Sequence, residues 1–199
     1  RNFVSVALLA TLSLAGTAPA LAQAYPNKPI RLIVPFAPGG FTDVVARILG
    51  QKLSVALGQN FIIENKPGAG SSIGSDFVAK APPDGYTFLV ASITGSVGPL
   101  INPNFKHDLR KDFVAVGMFA TAPNIAVVPA DFPASTMAEL VELARKSPAK
   151  LNYAHSGVGS TNHLPVEFLK NSRGLQITSV PYKGQPPAIT DVIGGQIHL

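Results

Sequence analysis

The stretch that decides the fold is Ile30-Arg31-Leu32-Ile33-Val34-Pro35-Phe36, followed by Ala37-Pro38-Gly39-Gly40-Phe41-Thr42-Asp43. The first seven residues form a short, nearly continuous apolar run, the pattern of a buried strand. The turn after it is rich in Gly and Pro, and Thr42 or Asp43 is placed to cap a helix reaching about Leu57. Within that helix Val44, Ile48 and Val55, with the Leu49/Leu53 pair, recur near helical spacing and predict one buried face. Gly58 ends it. Residues 60–64 predict a second strand, 73–80 a short helix closed by Pro82-Pro83-Asp84-Gly85, and 87–92 a third strand. This β-α-β-α-β order predicts a mostly parallel sheet with helices on both faces.

Farther along, residues 102–112 are polar and loop-like. Two strand candidates follow at 113–120 and 124–129, with Met118 and Phe119 read as core. A helix is predicted over 135–146 with Ser135 at its cap, then a strand at 151–156, a helix at 162–171, a strand at 177–182, a helix starting at 187 and a strand starting at 196. The second series, beginning near Asn124, predicts a second lobe, and the sequence shows no internal repeat.

Composition narrows the function. Charged residues make up 14% of 199, against about 25% in an average soluble domain. The net charge of +5 is scattered, with no basic run or interleaved aromatics, so nucleic-acid binding is not expected. These residues contain no Cys, which leaves no thiol for a disulfide framework, a thiolate metal site, a nucleophile or a lipid anchor. His107, His155, His163 and His198 lack metal-ligand spacing, so neither a metal nor a cofactor is expected.

Residues 2–22, NFVSVALLATLSLAGTAPALA, have the order of a secretory signal: an apolar core, a Gly/Pro breaker and a small-x-small cleavage site. Cleavage after Ala22 or Ala24 is expected, giving a soluble, exported chain. Ser5, Thr11, Ser13, Gly16, Thr17 and Pro19 interrupt the run too often for a membrane anchor.

Three Gly-rich turns each stand between a strand and a helix: residues 36–43, residues 156–163 and residues 181–186. Free N–H groups at such helix starts, aided by the helix dipole, hold anions. In open parallel sheets ligands sit outside the carboxyl ends of the strands. A Gly at such a turn also serves tight packing alone, and that reading stays open for each loop by itself. Gly157-Val158-Gly159 is not a dinucleotide fingerprint, because Asn162 stands where the third Gly belongs, and the first loop is no Walker loop. Ser156, His163 and Asp191 lack a G-x-S-x-G elbow, so an exported α/β hydrolase is a poor reading and no catalytic residue is expected. His163 either donates to a ligand or caps its own turn; Asp43 is an N-cap or a ligand contact; Lys183 is a solvated charge or a carboxylate partner.

Several segments carry a resemblance: Tyr25-Pro26-Asn27-Lys28-Pro29-Ile30-Arg31, Asn65-Lys66-Pro67-Gly68-Ala69-Gly70, Pro83-Asp84-Gly85-Tyr86-Thr87, Ser156-Gly157-Val158-Gly159-Ser160 with His163-Leu164, and Val180-Pro181-Tyr182-Lys183-Gly184. With the first turn they resemble the Bug-type receptors, the extracytoplasmic solute-binding proteins of tripartite tricarboxylate transporters. The resemblance implies an α/β, two-lobed periplasmic-binding-protein (Venus flytrap) fold. Its division would be a signal peptide at 1–24, a first lobe at 25–122 and a second, incomplete lobe at 123–199, with a C-terminal part missing. Such a fragment is expected to aggregate alone, and reversible cooperative unfolding as a monomer would count against that. The implied function is capture of a small organic acid (a di- or tricarboxylate, amino acid or aromatic acid) for membrane permease subunits, with a ligand-dependent sensor partner as the alternative. In such receptors the loops matching Pro38, Gly39, Gly40, Phe41, Thr42 and Asp43, and Ser156, Gly157, Gly159, Ser160, Thr161 and His163, hold one carboxylate through backbone N–H groups, hydroxyls and water. Ser92 and Thr94, with Tyr182, Lys183 and Gly184, would line the rest of the cleft. Phe41 departs from the small or polar residues usual there, which narrows the pocket or suits an aromatic acid.

Overall fold

The computed structural model describes residues 24–102 and 105–199, so the expected signal segment lies almost wholly outside the described residues. Two parallel sheets form the framework. In the first, β1 (Ile30–Val34) lies between β2 (Phe61–Asn65) and β3 (Thr87–Leu89). Register pairs Ile30 with Phe61 and Arg31 with Thr87, so all three strands end toward the same edge. In the second sheet β4 (Leu151–His155) pairs with β5 (Ile177–Pro181), Leu151 opposite Ile177.

Helix α1 (Phe41–Leu57) covers the first sheet, and its buried residues are Asp43, Ala46 and Gly50 rather than the expected Val44, Ile48 and Val55, which are exposed. The cause is close approach: a Cβ on Gly50 would stand 2.7 Å from Ile63 Cδ1. Small residues therefore sit closest to the sheet, the expected Leu49 and Leu53 are half-buried, and Val44, Ile48 and Val55 point away. Leu32, Val34, Phe36, Ala46 and Val90 form the first core. A second core joins Leu151, Tyr153, Leu175 and Ile177 to Leu140 and Ala144 of α4 (Met137–Lys146). Thr136, not Ser135, caps α4: its hydroxyl accepts the Glu139 N–H at 3.2 Å while the Glu139 carboxylate accepts the Thr136 N–H at 3.1 Å, a reciprocal capping box.

Further elements differ from expectation. A 3-10 turn (Ala69–Ser71) leads into α2 (Ser72–Ala79), and α3 (Ile93–Ile101) lies where no helix was predicted. Gly95 and Gly98 let α3 pack, since a Cβ on either would meet Leu109 or Phe105 at 2.6 Å. Residues 113–120 and 124–129 belong to no strand among the described residues. Their alternation is apolar, but Met118 is 84% and Phe119 44% exposed, so neither is core. The segment from Gln196 is likewise no strand, although Leu199 O accepts the Ala154 N–H at 2.7 Å beside β4. Helices α5 (Leu164–Arg173) and α6 (Gln185–Ile193) follow β4 and β5. No helix of the described residues is long and apolar enough to cross a membrane.

Candidate functional site at the carboxyl edges of both sheets

Parallel pairing sets the loops of each sheet at one edge, and the loops after β1, β2, β4 and β5 meet around one cleft. A cleft of about 320 Å³ lies among them, lined by Pro35, Gly68–Ser71, Asn102, Ser156–Val158 and Pro181–Lys183. Ser156, Gly157, Tyr182 and Lys183 are thus brought together on one cleft. Lys183 is the one charged side chain among the lining residues.

Glycines bring the walls into contact. At Gly157 φ is +127°, and a Cβ there would stand 2.7 Å from Gly70 Cα across the cleft. The backbones therefore touch where any side chain would hold them apart. At Gly184 the reason is space alone: a Cβ would meet Ala37 Cβ at 2.9 Å, beside the bond from the Ala37 N–H to Lys183 O at 3.2 Å.

The first loop is held from within. Gly40, not Thr42 or Asp43, occupies the N-cap of α1, with no side-chain cap. Asp43 lies one turn inside and is 3% exposed. Its carboxylate accepts the Gly39 N–H at 2.9 Å, Asn65 Nδ2 at 2.9 Å and Arg47 Nε at 3.0 Å. Burial pushes this carboxyl up, but the hydrogen bonds from Arg47, Gly39 and Asn65 outweigh it and hold it below its ordinary value. Asp43 is therefore a clamp on the loop. The Phe41 N–H goes to Gln185 Oε1 at 3.2 Å, and Gly39 and Gly40 sit beside Pro186. Gly39, Gly40 and Phe41 accordingly face the start of α6, and neither they nor Pro38 and Thr42 are among the residues lining the cleft.

Asn162 organises the second loop: its Oδ1 accepts the Ser156 N–H at 3.2 Å, Ser156 Oγ at 3.0 Å and Ser160 Oγ at 2.7 Å. Ser160 is 1% exposed, so its hydroxyl serves the loop, while Thr161 is exposed outside the lining. The Gly159 N–H donates to His163 Nδ1 at 3.4 Å. His163 therefore accepts from its own turn and makes no side-chain cap bond to α5. Burial lowers its pKa. Ser92 Oγ donates to Thr94 Oγ1 at 3.1 Å at the start of α3; Thr94 is buried, its methyl 4.0 Å from a Cβ position on Gly70. Both support the wall rather than line it. Tyr182 lines the cleft with its hydroxyl donated to Asp191, a bond that raises its pKa.

The wall that sequence reasoning missed is Gly68–Ser71. Its four residues all have positive φ (129°, 46°, 61° and 77°), including Ala69 and Ser71. A non-Gly residue held there stores strain, a feature concentrated at ligand sites. The Gly-x-Gly of residues 68–70 signalled a turn; nothing in the residue types marks Ala69 and Ser71 for left-handed backbone. Among the described residues no group of His, Cys, Asp and Glu is placed to hold a metal ion.

Residues 45–199 match the family described as the tripartite tricarboxylate transporter family receptor. The chain belongs to the tripartite tricarboxylate transporter receptor family. It is similar to an R. palustris protein solved with adipate, at 38% identity and a TM-score of 0.84 over 88% of this chain and 59% of that one. It is also similar to the periplasmic binding protein BugD, at 35% identity and a TM-score of 0.78 over 87% of this chain and 58% of that one. MatC from Rhodopseudomonas palustris, solved with bound malate, matches at 30% identity and a TM-score of 0.81, over 87% and 60% respectively. These neighbours establish the mixed α/β periplasmic-binding-protein architecture for the transporter-receptor chain. The chain spans about three fifths of the length of the curated relatives it matches.

Proposed function

We propose that this chain forms the ligand-capturing part of a periplasmic receptor that closes on a small carboxylate-bearing solute and delivers it to membrane permease subunits of a tripartite transporter. In this reading residues 1–24 direct export, and residues 25–122 and 123–199 belong to opposite lobes. The observation that carries it is the cleft where the carboxyl edges of both sheets meet. It offers glycine backbone, the hydroxyls of Ser71 and Ser156 and a single cation, Lys183. Its volume, about 320 Å³, lies at the small end of ligand pockets, about 300–1,000 Å³. Backbone amides with one ammonium suit a carboxylate whose second charge remains partly hydrated. The adipate and malate found in two family members support a dicarboxylate as the solute class. Recognition uses binding groups only, and no residue of the cleft is assigned a catalytic step.

Titration calorimetry of the full-length receptor against malate, adipate, citrate and aromatic acids tests this. Saturable one-site binding of at least one dicarboxylate is expected. No heat across the panel overturns it.

A further inference from the structure

The turn that carries Gly157 into the cleft rests on a buried pair of imidazoles. His155, the last residue of β4, is fully buried, and its Nε2 lies 2.8 Å from Ser179 Oγ on β5. Its Nδ1 accepts the Gly157 N–H at 3.1 Å. An imidazole that accepts at Nδ1 carries its proton on Nε2 and is neutral. His163 accepts the Gly159 N–H in the same sense, with the two ring centroids 4.5 Å apart.

We propose that His155 is a positioning residue of the ligand cleft: as a neutral Nδ1 acceptor it fixes the Gly157 N–H and so the turn that meets Gly70, and a second proton on the ring releases that turn. The proposal rests on the receptor reading of the cleft. Protonated Nδ1 is a donor facing a donor, so the bond to Gly157 is replaced by repulsion. A charged His155 also faces His163 at van der Waals range. Around the pair, β4 contributes Tyr153, β5 contributes Ser179, and α5 contributes Glu167 and Lys170. Glu167 Oε1 already accepts Tyr153 Oη and Lys170 Nζ, each at 2.6 Å, so the nearby carboxylate is committed and Lys170 opposes a further positive charge. Burial holds both imidazoles below the ordinary histidine pKa. The sign follows: with the native pKa lowered, the stability tied to the neutral ring is complete above the unfolded value of about 6.5. It is lost as pH falls through the native value.

His155→Asn separates positioning from mere packing, because an Asn side-chain oxygen accepts the N–H two residues on, as in an Asx turn, and does not titrate. The full-length receptor, wild type, His155→Asn and His155→Leu, is titrated with malate and adipate at pH 7.5 and in steps down to pH 4.5. Nitrogen-15 spectra follow the His155 tautomer and the Gly157 amide over the same range without ligand. At pH 7.5 His155→Asn should bind within about twofold of wild type, and His155→Leu about fivefold to tenfold more weakly. On acidification wild type should weaken more than His155→Asn, the excess appearing below about pH 6.5 and growing in step with the His155 titration seen in the spectra, since protonation of the acids is common to both. A proton on Nδ1 at pH 7.5, a Gly157 amide indifferent to the His155 titration, or equal pH dependence in wild type and His155→Asn overturns the proposal. Failure of both acids to bind any variant would overturn the dicarboxylate receptor reading, while the ligand-free spectra would still decide the role of His155.

Discussion

Replacing Asp43 by Asn in the full-length receptor should loosen the first loop and lower stability well before it touches ligand recognition. The carboxylate is nearly inaccessible and accepts three donors, from Gly39, Asn65 and Arg47. An amide keeps one oxygen and turns an NH₂ group on at least one of those donors. Hydrogen bonds to a charged acceptor contribute about 1.5–3 kcal/mol against about 0.5–1.5 for neutral ones, so each loses about 1 kcal/mol. The Arg47 side chain is 51% exposed, which confines its share to about 0–1 kcal/mol. The new NH₂ costs least at the Oδ1 position, where it faces Asn65 Nδ2, and the lost bond and opposed donors there add about 1–3 kcal/mol. The total is about 2–4 kcal/mol, or a Tm lower by about 4–8 °C at about 2 °C per kcal/mol, the low end of the scale, which suits the longer full-length receptor. Scanning calorimetry without ligand measures it. Because the native pKa lies below the unfolded carboxyl value of about 3.9, the contribution is complete above that pH and fades as pH falls through the native pKa. The gap between wild type and Asp43→Asn should therefore close below about pH 4. A Tm within 2 °C of wild type combined with a collapsed affinity for dicarboxylate would refute this reasoning and make Asp43 a ligand contact.

Gly157→Ala should weaken dicarboxylate binding about fivefold to a hundredfold, from about 1–3 kcal/mol of left-handed strain and from a Cβ set 2.7 Å from Gly70 Cα; an unchanged Kd by calorimetry would show that the two backbones need not meet for capture. Thr136→Ala removes the cap of α4 far from the cleft, and should lower stability by about 1 kcal/mol with Kd unchanged. A shift in affinity there would couple the second core to the site.

Much of the framework was legible because it rests on patterns that local chemistry enforces. The strand at 30–34 is a nearly apolar run, those at 61–65, 151–155 and 177–181 are short β-prone segments closed by turn residues, and three Gly-rich loops among their ends pointed to one edge. The face of α1 was misread because its packing uses Ala46 and Gly50: closeness to Ile63, not side-chain size, selects the buried side. Helix α3 went unassigned for the same reason: its close-packed side is glycine, against Leu109 and Phe105, and carries no apolar periodicity. The alternation in residues 113–129 resembles a strand, but alternation records only which residues favour extended backbone; a ladder also requires a neighbour, and none of the described residues supplies one. Asp43, His155 and His163 were visible as chemistry-bearing types. Their roles depend on which way a carboxylate or ring nitrogen points, a matter of rotamers and of residues such as Asn65 and Ser179 distant in sequence.

The meeting of Gly70 and Gly157 bears on how quickly such a receptor can let go. Two α-carbons in contact have no rotamers to freeze on closing or to free on opening, and no interlocked side chains to withdraw. At that point the walls can part without a repacking barrier, which leaves the lifetime of the closed state to the solute and to the few groups that hold it. Under the proposed delivery role, a latch of this kind would serve release, smooth where it touches itself and adhesive only where it touches what it carries.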